Sequence, residues 1–118
     1  MSGFDIQKKH EGDTVVLQLK GYLDAHTAPQ LETALQECLA KKEYKIIANF
    51  SQLSYISSAG LGVFMGFIEE VRKNGGDIKL CCMNAKIYRI FDLLGFPTLY
   101  EILDTEEEAR EKFDSNSV

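Results

Sequence analysis

The sequence predicts an α/β domain built on a mixed, mostly parallel sheet of four to five strands with about four helices. Beyond the first two strands, segments with helical spacing alternate with short apolar runs, which implies right-handed crossovers between parallel strands. Residues 4–9 and 14–21 flank the turn Glu11-Gly12-Asp13, so we expect an antiparallel hairpin. Residues 45–50 show little polar alternation, which is typical of a central strand covered on both faces.

The first half of the chain continues from this hairpin. After a loop over residues 21–29, a helix is predicted to about residue 41. Thr27 is its candidate N-cap, and Pro29 lies in the first turn, where a missing N–H is tolerated. The strand over 45–50 then leads through a polar turn at 51–57 into a second helix from about 59 to 73. That helix is expected to stop at Asn74-Gly75-Gly76.

The second half begins with a predicted strand over residues 77–82. A third helix follows, capped by Asn84 and ended by Gly95. A short last strand is expected over 98–102. Thr105 and Glu108 have the spacing of a capping box for a closing helix over 106–113. We expect residues 1–118 to form a single domain, with a frayed tail at 114–118.

Composition narrows the class of partner. The 118 residues carry a formal net charge of −5, which argues against nucleic acid and against anionic membranes as partners. No apolar run approaches the roughly 20 residues of a membrane span, and we find no secretion signal, so a cytoplasmic protein is expected.

The cysteines predict no disulfide framework, because there are three and two of them are adjacent. Neighbouring strand residues point to opposite faces, so Cys81 and Cys82 are not expected to share a ligand. Buried apolar roles are expected for all three cysteines, and no metal site or cofactor is predicted.

The segment at residues 55–64, YISSAGLGVF, joins a buried strand to a helix. Ser57 or Ser58 is expected to cap that helix. Its glycines match neither the dinucleotide fingerprint nor the phosphate loop with its lysine. Ser58 lacks the G-x-S-x-G elbow of a hydrolase, and His26 is the best candidate for a base. We therefore predict a non-enzymatic protein, with nucleotide binding or hydrolysis as the less favoured alternatives.

A phosphate acceptor is a further use for a serine at a helix start. Small neighbours let another protein's active site approach, and the helix N-terminus tolerates the added negative charge. Asp24 is a candidate for a contact in the loop before the first helix. Its alternative role is to stabilise that loop as a turn or cap residue.

Four segments together resemble the STAS domain, and within it the bacterial anti-sigma factor antagonists. The main one is LSYISSAGLG at residues 53–62, which is similar to the family's pattern of an apolar residue, Asp, Ser, a small residue and Gly-Leu/Ile-Gly. The others are GYLDAHT at 21–27, NGGD at 74–77 and IYRIFDLLG at 87–95. The resemblance covers nearly the whole chain in the family's order.

The resemblance implies a phosphorylation switch with Ser58 as the acceptor. In the family, the unphosphorylated antagonist binds an anti-sigma factor that is also a serine kinase, and thereby frees a sigma factor. The kinase phosphorylates the serine, the complex dissociates, and a PP2C-type phosphatase reverses the modification. Ser57 stands where the family usually has Asp, and it is an alternative acceptor. The resemblance assigns partner binding to Asp24, His26, Thr27, Ser57, Ser58, Ala59, Gly60, Leu61 and Gly62.

STAS domains also occur in stress-sensing, anion-transporter and lipid-transport assemblies. The resemblance therefore leaves a second function open. In that alternative the chain is a constitutive interaction subunit, and Ser58 serves only the start of its helix.

Overall fold

A computed structural model of the protein describes residues 3–115. The strands of this range are β1 (Phe4–Glu11), β2 (Thr14–Leu23), β3 (Lys45–Ile56), β4 (Asp77–Cys81) and β5 (Ile102–Leu103). The helices are α1 (Ala28–Ala40), α2 (Ser58–Lys73), α3 (Ala85–Leu93) and α4 (Glu106–Ser115), with a short 3₁₀ helix at Phe96–Thr98. None of these helices is long and apolar enough to cross a lipid bilayer.

The five strands form one sheet in the order β1-β2-β3-β4-β5. Strand β1 pairs with β2 as an antiparallel hairpin. The pairings of β2 with β3, β3 with β4 and β4 with β5 are all parallel. The predicted mixed, mostly parallel sheet with about four helices is therefore confirmed.

Helices cover both faces of the sheet. Neighbouring strand residues point to opposite faces, so each strand contributes to two separate clusters. On one face, Val15, Ile46 and Ile78 join α1, α2 and α3 in the main hydrophobic core. On the other face, Val16, Ile47 and Cys81 pack against Ala109 and Phe113 of α4. The central strands are thus covered on both sides, as the apolar run at 45–50 predicts.

Strand β3 extends six residues beyond the predicted strand end at residue 50, so the predicted polar turn at 51–57 is wrong. The apolar run ends at Phe50, but the backbone stays extended to Ile56. The reason is the long β2, which continues to pair with β3 as far as Leu23 and Ile56. Strand β4 stops level with Asn49. The ends of β2 and β3 therefore project past the rest of the sheet, and the polar side chains of this part of β3 remain in solvent.

Two further boundaries differ from the sequence prediction. The strand predicted over 98–102 is wrong for most of its length, because a 3₁₀ helix occupies Phe96–Thr98 and β5 comprises only Ile102 and Leu103. Helix α4 continues to Ser115, two residues past its predicted end. The remainder of the predicted frayed tail, residues 116–118, lies outside the described residues.

Predicted helix caps fall into two groups. The Asn84 side chain accepts a hydrogen bond from the Ile87 N–H at 2.8 Å, so this cap is confirmed. The capping box is confirmed too, since Thr105 Oγ1 accepts from the Glu108 N–H at 3.1 Å and Glu108 Oε1 accepts from the Thr105 N–H at 3.2 Å. Thr27 and Ser57, in contrast, occupy the predicted N-cap positions of α1 and α2, but neither side chain makes a cap hydrogen bond, so these two predictions are right in position and wrong in mechanism.

Candidate functional site

The start of α2 and the loop after β2 lie together at the tip of the β2–β3 ladder. Leu23 and Ile56 are the last paired residues of the two strands. Immediately beyond them, the Ser57 N–H donates to the Leu23 carbonyl at 2.9 Å. This bond brings the segment beginning at Asp24 beside the segment beginning at Ser57. The tertiary structure thereby joins the two groups of residues that the sequence singled out, although 33 positions separate them.

The two serines at this junction have different environments. Ser57 occupies the N-cap position, with extended backbone angles of φ −101° and ψ 173°. Its hydroxyl is buried and has no hydrogen-bond partner among residues 3–115. Ser58 is the first residue of α2, and its side chain is exposed to solvent. An external enzyme therefore has direct access to Ser58, whereas it reaches the Ser57 hydroxyl only after a local rearrangement.

The N-terminus of α2 provides a favourable place for a negative charge. The first backbone N–H groups of a helix have no partner within the helix and carry a partial positive charge. Within the described range, no side chain caps these groups and no acidic residue lies in the first turn. A phosphate on the exposed Ser58 would therefore be added where the helix itself favours an anion.

The loop after β2 is organised by the Asp24 carboxylate. Its Oδ1 accepts hydrogen bonds from the backbone N–H groups of His26 and Thr27, at 2.9 and 3.0 Å. These bonds, led by that from Thr27, hold the pKa of the Asp24 carboxyl below its usual value. The Thr27 hydroxyl in turn donates to the Tyr22 carbonyl at 2.8 Å. Asp24 thus has a structural role in the loop, and its predicted contact with a partner remains a prediction.

The predicted binding residues divide into an outer and an inner group. Ala59 is partly exposed, and His26 and Gly62 are exposed. Thr27 and Leu61 are buried, at 4% and 7% exposure. Gly60 is buried as well, and a Cβ added there would lie 2.8 Å from Cγ of Leu23. The inner residues therefore determine how closely the start of α2 packs on the end of β2, whereas the outer residues form its surface.

Tyr22 and Tyr55 were not among the predicted site residues. They are paired across β2 and β3, and their ring centroids lie 6.5 Å apart. Both side chains are substantially exposed, at 55% and 45%. Each precedes a buried residue at the strand end, so strand alternation in the sequence would have placed them on the open face. Exposed tyrosines near a candidate interface matter because tyrosine is enriched at binding hot spots.

The hydrolytic alternative requires a base beside one of the two serines. His26 was the candidate base for a serine nucleophile. Across residues 3–115, neither the Ser57 nor the Ser58 hydroxyl is hydrogen-bonded to the His26 ring, and the His26 contact that shapes the loop comes from its backbone. A nucleophilic serine requires a base within hydrogen-bond reach. Among the described residues, the His26 ring therefore makes no hydrogen bond that would activate either serine hydroxyl.

Comparison with known proteins shows that this chain is similar to several bacterial proteins. The family model of the STAS domain matches residues 5–109. The anti-sigma F factor antagonist of Paenibacillus polymyxa is 27% identical over 105 residues, which cover 88% of this chain and 90% of that protein. The anti-sigma-B factor antagonist of Bacillus subtilis is 33% identical over 95 residues, which cover 80% and 85%.

Solved structures give the same result. The phosphorylated form of SpoIIAA, described as a Bacillus cell fate determinant, is 27% identical and superposes with a TM-score of 0.73. The match covers 92% of this chain and 99% of that one. The unphosphorylated form of SpoIIAA, an anti-sigma factor antagonist, is also 27% identical, with a TM-score of 0.72 and coverages of 94% and 97%.

Proposed function

Because this chain belongs to the STAS domain family, we propose that it is an anti-sigma factor antagonist switched by phosphorylation of Ser58. The unphosphorylated protein binds an anti-sigma factor that is also a serine kinase, and so releases a sigma factor. The observation that carries this proposal is the exposed Ser58 at the uncapped start of α2. Its structural neighbour SpoIIAA exists in phosphorylated and unphosphorylated forms.

Accessibility supports Ser58 over Ser57 as the proposed acceptor. Phosphoryl transfer requires the serine oxygen to lie in line with the γ-phosphate in the kinase active site. The Ser58 side chain is exposed, while the Ser57 hydroxyl is buried beneath the helix start. Ser57 occupies the position of the family's aspartate. We infer that Ser57 has a structural role at the junction between β3 and α2 and that Ser58 receives the phosphate.

Phosphorylation changes the binding surface and leaves the fold intact. The phosphate adds between about −1.5 and −2 charges, and the helix N-terminus favours a negative charge. On a partner surface packed over Ser58 the same charge would be buried without a prepared cation. An unpaired buried charge costs roughly 3–5 kcal/mol. Since about 1.4 kcal/mol corresponds to a tenfold change, the affinity falls on the order of a hundredfold or more.

The proposed partner surface combines the α2 start with the adjoining loop. Ser58, Ala59 and Gly62 contribute the exposed part of the helix, and Asp24 and His26 contribute the loop. A PP2C-type phosphatase restores the binding form. The protein acts through binding and without catalysis of its own, in the cytoplasm, where a sigma factor and its regulators operate.

Incubation with the cognate anti-sigma factor and ATP, followed by mass spectrometric mapping of phosphate, tests this function. We expect one phosphate on Ser58, which Ser58→Ala abolishes and Ser57→Ala retains. Phosphate on Ser57 would show that the junction opens during the reaction and would overturn the choice of acceptor. If the unphosphorylated protein binds the anti-sigma factor but neither serine is labelled, a constitutive interaction subunit becomes the better description.

A further inference from the structure

Cys81 and Cys82 form a second chemically distinctive feature, remote from the α2 start. Cys81 ends β4 and lies level with Asn49 of β3, while β3 continues to Ile56 beyond that level. At about 3.3 Å per residue, the seven residues from Asn49 to Ile56 place Cys81 about 23 Å from the end of β3 along the strand direction. The proposed phosphorylation of Ser58 makes no use of these thiols.

The backbone at Cys82 brings the two thiols together. Cys82 has a positive φ of 65°, which residues other than glycine rarely adopt. In a regular strand, adjacent side chains point to opposite faces. The left-handed turn instead places the Cys82 thiol 3.5 Å from the Cys81 sulfur, to which it donates a weak hydrogen bond. The expectation that these side chains point apart is therefore wrong, because Cys82 lies just outside the strand.

The two thiols differ in accessibility. Cys81 is fully buried against Ile47, Ala109 and Phe113, between the sheet and α4. Burial, with a smaller contribution from the neighbouring Cys82, raises the pKa of the Cys81 thiol far above its usual value. Cys82 is only partly buried. An external disulfide reagent therefore reaches Cys82 first. Cys81 then lies in position to attack the mixed disulfide that forms on Cys82.

We propose that Cys81 and Cys82 are a redox-active pair that closes reversibly to a disulfide by exchange with a small-molecule disulfide. The Cys82 thiolate attacks one sulfur of the reagent, whose S–S bond breaks, and a mixed disulfide forms as the first small thiolate leaves. The Cys81 sulfur then attacks Cys82 Sγ and passes its proton to the departing second thiolate, which leaves as a thiol. The two cysteines lose two electrons and two protons, and the reagent is reduced to two thiols.

Closure would also act on the start of α3. The sulfurs must approach from 3.5 Å to the roughly 2.05 Å of a disulfide, and the turn containing Cys82 has to adjust. Asn84, the cap of α3, lies two residues further along the chain. We therefore expect oxidation to increase hydrogen exchange at the Ile87 amide, which the Asn84 side chain holds in the reduced protein.

The test treats the full chain with glutathione disulfide, then measures free thiols after denaturation and the intact mass. The reduced protein has free thiols at Cys38, Cys81 and Cys82. We expect the free thiols of Cys81 and Cys82 to disappear together and the mass to fall by two hydrogen atoms, with no glutathione retained. Dithiothreitol should reverse the change fully. Cys38→Ser should behave as the wild type, whereas Cys81→Ser should retain one glutathione on Cys82.

Three outcomes would overturn the proposal: three unreacted thiols, a stable glutathione adduct on the wild type, or a disulfide between two chains. Peptide mapping of the wild type provides a readout that does not depend on any variant. The peptide that contains residues 81 and 82 must lose two hydrogen atoms while the thiol of Cys38 remains free.

Discussion

Helices α2 and α3 both begin where a parallel strand of the sheet ends, yet their first turns are built differently. At α3, the Asn84 side chain caps the Ile87 N–H. At α2, Ser57 occupies the equivalent position, but no side chain within residues 3–115 caps the helix, and the Ser57 hydroxyl is buried without a partner. The α2 start is held instead by the backbone bond from Ser57 to Leu23. The start of α3 is thus capped by a side chain of the protein, whereas the start of α2 leaves its N–H groups available to an added negative charge.

The largest expected effect separates the two helix starts in partner binding. Ser58 and Ala85 are the first residues of α2 and α3, and both are exposed. Ser58→Asp should weaken binding to the cognate anti-sigma factor by on the order of a hundredfold, because its carboxylate faces the partner without a cation. Ala85→Asp, the matched control, should leave the affinity unchanged. Titration calorimetry gives both values, and equal affinities for the two variants would contradict the proposed interface.

The next effect concerns how closely α2 approaches β2. Gly60→Val should lower the free energy of unfolding by about 2 kcal/mol, because the new Cβ would meet Leu23 at 2.8 Å in a packed core. Gly62→Val is the control, since a Cβ there meets nothing within 4 Å. Its effect should stay within about 0.5 kcal/mol, because valine and glycine are both weak helix formers. Urea denaturation measures both variants, and similar losses would mean that close packing at Gly60 is unimportant.

The caps themselves provide the third prediction. Asn84→Ala should cost about 1 kcal/mol of stability, the usual loss for a working N-cap. Ser57→Ala should change the free energy of unfolding by less than about 0.5 kcal/mol, since its hydroxyl bonds to nothing within the described range. Chemical denaturation of the two variants under identical conditions compares the helix starts directly. A loss at Ser57 as large as that at Asn84 would remove the distinction between them.

The smallest effect is the pH dependence that Asp24 adds beside the α2 start. Its carboxyl pKa is lowered in the folded protein. Its contribution to stability should therefore be present above the unfolded-state pKa of about 3.9 and lost as pH falls through the folded value. Urea denaturation from about pH 6 to pH 2 should show wild type and Asp24→Asn converging as the pH falls. A constant difference would show that the charge of Asp24 does not stabilise its loop.

The candidate site shows how far sequence reasoning reached. Asp24 was identified from its place in the loop, whereas the resemblance to the family chose Ser58 as the acceptor and assigned the glycines to partner binding. Asn84 and Thr105 were correctly predicted as caps because the signal is local. The extent of β3 was missed, because its mostly polar residues 51–55 are held in a strand by pairing with the distant β2. Tyr22 and Tyr55 could have been found from the sequence, since each alternates with a buried residue at the end of its strand. Their exposure depends on which sheet face remains uncovered.

The sequence by itself determined the α/β class, the order of most elements and the identity of the serine junction. Periodicity, turn residues and caps are local, so neighbouring residues suffice to specify them. Only the tertiary structure decided which serine is accessible, because exposure depends on the packing around the helix start. It also brought Asp24 beside the start of α2, where the backbone bond from Ser57 to Leu23 joins the two segments. It also decided that Ser57 does not cap α2. A serine at an N-cap position can accept a backbone hydrogen bond, but the direction of its hydroxyl depends on the packing around it.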